Sequence, residues 1–443
     1  MQGPVGGFFA YLADDLKSRG HTVAKFNFNA GDLVFSNQFR SINYTHGQNA
    51  WRRWLREYCE NWRPDAMLLF GDQRPIHRIA MQIAREKEIT VYCFEEGYIR
   101  PNYVTFERGG NNANSPLLRG NAAFIRAPEP PPPQQLAPQF GSMARRAMLY
   151  YIAKAAGTWM FPGYLHHRRR TLVSETYLWT QSYIRLLWNR RRDNAFIQDL
   201  TAGNGQPFFL VALQVHDDLQ LLRHGKGWRN RSLIKIAIAS FAAKAARDDI
   251  LVFKVHPMDR GHRRYRLHVL KEAKRHGVAD RVRVLQSGPL AGMVRQAKGL
   301  VTINSSSGIV ALESGVPVLA LGKAIYGMKE LVTGEGGQAD LDAFWTNPRP
   351  AKRELANGVV RILKRDHMIP GSFYLPQTWR AMAGTIDGAL RADAAREAEN
   401  RSVQAAREAE LQASEAAREA ERRLRETARH EGKGERQLRL VKR

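Results

Sequence analysis

Four short apolar runs, Ile250–Val255, Val282–Leu285, Leu300–Ile303 and Val316–Leu321, do most to limit the folds open to this chain. Each is of strand length and rich in Val, Ile and Leu. Helical patterns separate the first three, and a short one, Gly308–Ser314, precedes the fourth. Strands alternating with helices build a parallel sheet with crossover connections. Polar residues stand where the strands end: His256-Pro257 after one, Asn304-Ser305-Ser306-Ser307-Gly308 after another. Open α/β sheets bind ligands outside the carboxyl ends of their strands, so residues 249–322 read as one half of a ligand site.

At 443 residues the chain is long enough for two domains and a large core. The residues divide it into an N-terminal α/β block at 1–107, a proline-rich linker with a basic, aromatic helical insertion at 108–200, a second α/β block at 201–384 and a charged helical tail at 385–443. In the first block, a glycine-rich turn (Gly3, Gly6, Gly7) precedes a helix carrying Phe9, Leu12 and Leu16, and Thr22–Phe28 follows as a strand. Such a turn can present backbone N–H groups to an anion or be a plain loop. Ala66–Phe70 reads as a strand ending at Gly71-Asp72, a helix starts at Pro75, and Val91–Phe94 is the next strand, ending at Glu95-Glu96. Asp72, His77, Glu95 and Glu96 therefore have the positions to face one cleft. Adjacent carboxylates point to opposite sides, so one of Glu95 and Glu96 reaches it.

The insertion mixes Tyr150, Tyr151, Trp159, Met160, Phe161 and Tyr164 with Arg145, Arg146, Lys154 and Arg168–Arg170. It fits a helix at a membrane interface or an interdomain hairpin packed on the core. The second block opens with a strand in 206–215, ending at His216-Asp217-Asp218, and a helix over Trp228–Arg247. In the tail, AAREAE recurs at Ala394, Ala405 and Ala416, an 11-residue period with few large apolar residues. That describes a solvated, nearly straight helix.

Net charge is +26, from 68 basic and 42 acidic residues, which points to anionic partners. No helix–turn–helix, zinc-finger or RNA-binding signature accompanies the charge, so nucleic acid is not expected. No apolar run is long enough for a transmembrane helix, and the N-terminus lacks the pattern of a signal peptide. Cys59 and Cys93, both in apolar contexts, fit a reduced cytoplasmic setting.

Two α/β blocks with a cleft between them suit a glycosyltransferase of the two-Rossmann type, and equally an epimerase or a binding protein. No G-x-G-x-x-G follows a strand and there is no P-loop, which argues against dinucleotide and ordinary nucleoside-triphosphate chemistry. His256 at a strand end can donate to a phosphate, although His-Pro pairs are common. Ser305, Ser306 and Ser307 between a strand and a helix can cradle a phosphate or simply cap the helix.

The segments MQGPVGGFF, FNFNAGD, FGDQRPIH, FEEGYIRPNYVTFE, LQVHDDLQL, FKVHPMDRG, VTINSSSG, LGKAIYG and LDAFW occur in this order. Over residues 2–375 the chain resembles the capsule polysaccharide biosynthesis/export proteins of the KpsS/LipB type. The resemblance implies a GT-B-like β-Kdo transferase that uses CMP-Kdo as donor substrate and a phosphatidylglycerol-type lipid as acceptor; with no ligand-spaced cluster in the sequence and one phosphate on the donor, no metal and no further cofactor are expected. The positive charge would hold such a protein peripherally at the cytoplasmic face of the inner membrane, where other capsule assembly and export proteins are expected partners. The resemblance also implies that His256-Pro257 and Ser305–Ser307 hold the CMP moiety and that Asp218 is the acid of the family's QVxxD pattern. A carboxylate there can stabilise an oxocarbenium-like state, as nucleophile if configuration is retained and as base if it is not. Glu95 and Glu96 can act on the acceptor, with Asp72 at the same strand-end level. Arg74, Arg100, Lys254 and Arg260 are candidates for the Kdo carboxylate or the phosphate. The other class open to the chain is a non-catalytic scaffold that docks polymer for export.

Overall fold

In the computed structural model the described residues are 3–36, 41–119, 128–137, 139–164, 172–201, 205–334 and 336–441. Arg168–Arg170 of the basic insertion, and Met1 and Gln2, lie outside them.

The four runs of 249–322 form strands, joined by the run before them. The strands of this sheet are Phe208–Ala212, Ile250–Lys254, Val282–Leu285, Gly299–Thr302 and Val318–Ala320. With six strands elsewhere in the chain, they are β6 to β10 in chain order. All pairings are parallel and the order is β10-β9-β6-β7-β8. Every residue of β6 and β7 is buried, because helices cover both faces. Alternate residues go to opposite sides. Phe209 and Val211 join Leu233, Ala237, Phe241 and Trp345 on one side, and Phe208, Leu210 and Ala212 join Leu300, Leu312 and Val359 on the other. The chain builds outward from β6 through β7 to β8, then returns to place β9 on the other flank of β6. That reversal opens a crevice at the carboxyl ends of β6 and β9.

The N-terminal block contains β1 (Lys25–Asn27) paired in parallel with β2 (Ser41–Asn43), and a separate mixed sheet. The mixed sheet holds β3 (Ala66–Phe70), β4 (Thr90–Glu96), β5 (Tyr103–Arg108) and β11 (Met368–Pro370), in the order β11-β5-β4-β3. β3 and β4 are parallel, whereas β4–β5 and β5–β11 are antiparallel. Two expectations change here. The strand expected to stop at Phe94 runs through Glu96, because Glu95 and Glu96 pair with Thr105 and Val104 of β5. Residues 368–370, read with the second block, complete the first sheet. The second sheet packs on this block through Tyr98, Tyr103, Leu117 and Met368, which share one apolar cluster with Phe208 and Leu210.

The insertion supplies helices Phe140–Ala156 and Leu172–Thr201. The fold class is thus the expected one: two α/β layers, a helical insertion and a helical C-terminus. One compact unit spans Met1–Ala383, and Gly384–Arg443 form a second. That second unit is the continuation of a helix running from Trp379 to Val441. Its side chains from Ala398 to Arg423 are exposed, and pairs such as Arg423–Glu419 lie along its surface.

Candidate functional site

The crevice at the ends of β6 and β9 is held by a reciprocal amide pair. Gln214 Nε2 donates to Asn304 Oδ1 at 2.8 Å, and the Asn304 backbone N–H donates to Gln214 Oε1 at 3.0 Å. Asn304 Nδ2 also donates to the Gln220 carbonyl at 3.0 Å. These bonds fix the loops that carry His216–Asp218 and Ser305–Ser307. The Ser305 hydroxyl accepts from the Ser307 N–H at 3.2 Å and the Ser307 hydroxyl at 3.0 Å. The Tyr326 hydroxyl donates to the Ser305 carbonyl at 2.6 Å. Ser306 heads the helix Ser307–Glu313, and its side chain caps no amide of it. Gly308 is required by the close approach of Tyr326, since a Cβ would sit 2.1 Å from the ring carbon Cζ.

His256 follows β7, and Pro257 opens a turn of 3-10 helix. Burial pulls the His256 pKa down to about 4, helped by Arg100, Lys254 and Arg260 and opposed by Asp259. The ring is therefore neutral near pH 7. Its Nδ1 accepts from the Met258 N–H at 3.2 Å, so Nε2 carries the proton and is a donor. Lys254 is buried, its pKa pulled down to about 8 by desolvation and then by Arg260. Arg260 Nε donates to the Gln286 carbonyl at 2.9 Å. Arg100 donates to the Gly97 carbonyl at 3.0 Å, and its field reaches His256 from the N-terminal block.

Glu95 is where the two halves meet. Burial pushes its pKa up to about 7. The carboxylates of Asp218 and Glu96 add to the rise, while Arg74 and Arg100 oppose it. The Asp218 charge is thus felt at the end of β4. Asp218 also caps the helix Leu219–His224, Oδ1 accepting from the Gln220 N–H at 2.8 Å. Glu96 has a different task from its neighbour: Oε1 accepts from the Tyr374 hydroxyl at 2.6 Å. Arg74 lies over the Phe70 ring, 5.1 Å from its centroid.

Asp72 belongs to another wall. It is buried, Oδ2 accepts from Asn114 Nδ2 at 2.6 Å, and Oδ1 has no hydrogen-bond partner among the described residues. It lines a cleft of about 650 Å³ together with Arg78, Arg85, Lys226 and Lys323, whereas Glu95, Asp218 and His256 are not among its walls. His77 is not among the residues lining that cleft. It is buried, its Nδ1 lies 2.7 Å from the Gly71 carbonyl, and its pKa is pulled down to about 3, chiefly by desolvation.

Sequence reasoning missed several residues. Asp259, fully buried, accepts from the His216 N–H at 2.9 Å, His216 Nδ1 at 2.6 Å and the Tyr265 hydroxyl at 3.2 Å. It orients an imidazole two residues before Asp218. Glu107, also buried, accepts from the Tyr98 hydroxyl and holds His367, both at 2.7 Å. Asp32 anchors the insertion through the Tyr150 hydroxyl at 3.2 Å. The one available signal was that each acid sits inside a segment that carried the resemblance.

Residues 65–374 match the family described as "Capsule polysaccharide biosynthesis protein". The chain is 36% identical over 383 residues to the capsule polysaccharide modification protein LipB of Neisseria meningitidis serogroup A, covering 84% of this chain and 90% of that one. It is 34% identical over 347 residues to the capsule polysaccharide export protein KpsS of Escherichia coli, covering 78% and 88%. Among solved structures it is similar to the β-Kdo 2,7 transferase KpsC of Thermosulfurimonas dismutans, at 16% identity and a TM-score of 0.38, with 76% and 90% covered. No helix among the described residues is long and apolar enough to cross a membrane.

Proposed function

Because the chain belongs to the capsule polysaccharide biosynthesis protein family, we propose that it is a glycosyltransferase moving Kdo from CMP-Kdo to a phosphatidylglycerol-type lipid, starting the β-Kdo linker of a capsular polysaccharide. The observation that carries the reading is that charges from both halves converge: Asp218 and Arg100 both act on Glu95, and Arg100, Lys254 and Arg260 all act on His256. When the bond between the Kdo anomeric carbon and the phosphate oxygen breaks, CMP leaves with an added negative charge. The His256 Nε2–H and the neighbouring cations stabilise that charge. Positive charge builds at the anomeric carbon, where the Asp218 carboxylate stabilises it. Glu95, with its pKa near 7, takes the proton of the acceptor hydroxyl. Ser306 and the ordered Ser305–Ser307 loop bind phosphate or ribose. The cationic cleft around Asp72 suits an acceptor that carries a phosphate and free hydroxyls. The reading needs no cofactor beyond the donor. It places the protein peripherally at the cytoplasmic face of the inner membrane, with other capsule assembly and export proteins.

The test is incubation of purified protein with CMP-Kdo and a fluorescent phosphatidylglycerol. The expected result is CMP release matched by a mass gain of one Kdo on the lipid, lost in Asp218→Ala with the fold intact. CMP release without a glycosylated lipid would remove the acceptor assignment. A wild-type protein that leaves CMP-Kdo untouched, while Asp218→Ala still supports export, would make it a scaffold.

A further inference from the structure

The helix Leu172–Thr201 buries Ile197 and Leu200 near its C-terminal end, but its middle is amphipathic the wrong way round for a protein in water. Along its middle, the residues turned toward the body of the protein are polar: Ser182, Asn189 and Asp193 are buried. The residues turned outward are large and apolar. Trp188 is 83% exposed and Tyr183 63%, with Tyr177, Ile184 and Leu187 also exposed. Positions 177, 184 and 188 share one side at helical spacing, opposite 182, 189 and 193. Contiguous exposed apolar surface of this kind marks an interaction site.

The polar side shows that this orientation is fixed. Asp193 Oδ2 accepts from the Gln286 N–H at 2.8 Å, the Ser287 N–H at 3.0 Å and the Ser287 hydroxyl at 3.1 Å. Arg185 Nη1 donates to the Arg260 carbonyl at 2.6 Å. The backbone at Gly261 lies so close to the helix that a Cβ would be 1.9 Å from the Leu178 carbonyl oxygen. Rotating the helix to hide its tryptophan would strand a buried carboxylate and two backbone amides. The apolar face is held outward by the loop after β7, which carries His256 and Arg260, and by the loop after β8.

Charge selects the occupant. From Phe140 to Arg192 the sequence has ten basic residues and a single acid, Glu175. Arg190, Arg191 and Arg192 are exposed at the end of the apolar stripe. A second copy of this chain would bring like charge against like, whereas an anionic bilayer offers apolar depth and negative charge together. We infer that the outward face of helix Leu172–Thr201 is a docking surface for an anionic membrane, with Tyr177, Ile184, Leu187 and Trp188 entering the headgroup–acyl boundary and Arg190 and Arg191 staying at the headgroups. The helix then lies in the plane of the interface rather than across it. The inference extends the lipid-acceptor reading above by giving that lipid a place of entry beside the nucleotide loops, but its evidence is independent of sugar transfer.

The test uses the full chain without donor. Co-sedimentation is measured with vesicles of phosphatidylethanolamine and phosphatidylglycerol, and with phosphatidylcholine alone. Wild type is expected on the anionic vesicles, with tryptophan emission quenched by brominated lipid. Ile184→Glu/Trp188→Glu should weaken this binding by about ten-fold or more, equivalent to ~1.4 kcal/mol, with an unchanged thermal melt because both residues already face outward. Trp188→Phe should bind as wild type, and Arg190→Glu/Arg191→Glu should lose the preference for anionic vesicles. Equal binding by wild type and the double glutamate variant, or no wild-type binding, overturns the inference. A wild-type dimer that the glutamate variant converts to a monomer, with vesicle binding unaltered, also overturns it and makes a second copy the occupant.

Discussion

Replacing Glu95 by Gln keeps the shape of the side chain and removes its charge. In the folded protein the Glu95 pKa stands at about 7 against 4.5 for the free side chain, raised by burial and then by Asp218 and Glu96. The carboxyl is more readily ionised in the unfolded chain. Below pH 4.5 both states hold the proton and the group adds no pH dependence. As pH rises from there to 7, the unfolded state releases the proton first, so stability falls, and above 7 the loss is complete. At 1.36 kcal/mol per pKa unit, the loss amounts to about 3 kcal/mol. Glu95→Gln should therefore match wild type near pH 4.5 and exceed it by up to about 3 kcal/mol at pH 8, while losing the base proposed for the acceptor hydroxyl. The assay is urea unfolding of both proteins from pH 5 to 9, read as the difference between their stabilities so that all other titrations cancel. Parallel curves across pH 5–8 would refute the reasoning and return Glu95 to an ordinary solvated carboxylate.

Asp193→Ala should destabilise the fold by about 3 kcal/mol and speed proteolysis within helix Leu172–Thr201, because three donors around Gln286 and Ser287 lose their acceptor. Gly308→Ala forces a methyl into the Tyr326 ring and should cost about 1–3 kcal/mol, measured by thermal unfolding, with weakened donor binding. The His256 imidazole resonances should not shift between pH 5.5 and 8, since its pKa is pulled down to about 4; a midpoint near 6.5 would show an exposed ring. Cys59 and Cys93 are buried, with burial raising both thiol pKa values. Thiol reagents should label neither in the native protein and both after unfolding.

What the sequence made legible follows from what each element depends on. β6 to β10 are apolar on both faces, and that one-dimensional pattern is independent of the partner strand, so their positions came close to the observed ones. The direction of β4 against β5, and the return of β11, depend on pairings between distant residues and leave no periodic trace. His256, Asp218 and the serines could be named as candidates because they follow strands, and strand ends could be read. Asp72 also follows a strand, yet it faces another cavity, because the level along a strand says nothing about the lateral position. The ties that set the geometry, Gln214 to Asn304 and Asp259 to His216, join residues in different loops and carry no sequence signature of their own. In the insertion, composition revealed the aromatic and basic content, but only the anchoring of Asp193 tells which side faces out.

The return of β11 to the first sheet also sets an order of events during synthesis. Met368 pairs with Thr105 in β5, so an edge of the N-terminal sheet stays open until the chain beyond the second sheet has been made. At roughly 5–20 residues per second, translating the 260 residues from Arg108 to Met368 takes about 15–50 s. Throughout that interval the emerging chain presents β5 with one row of backbone groups unpaired. A chain truncated ahead of residue 368 would lack β11 and leave that edge of β5 without its partner strand.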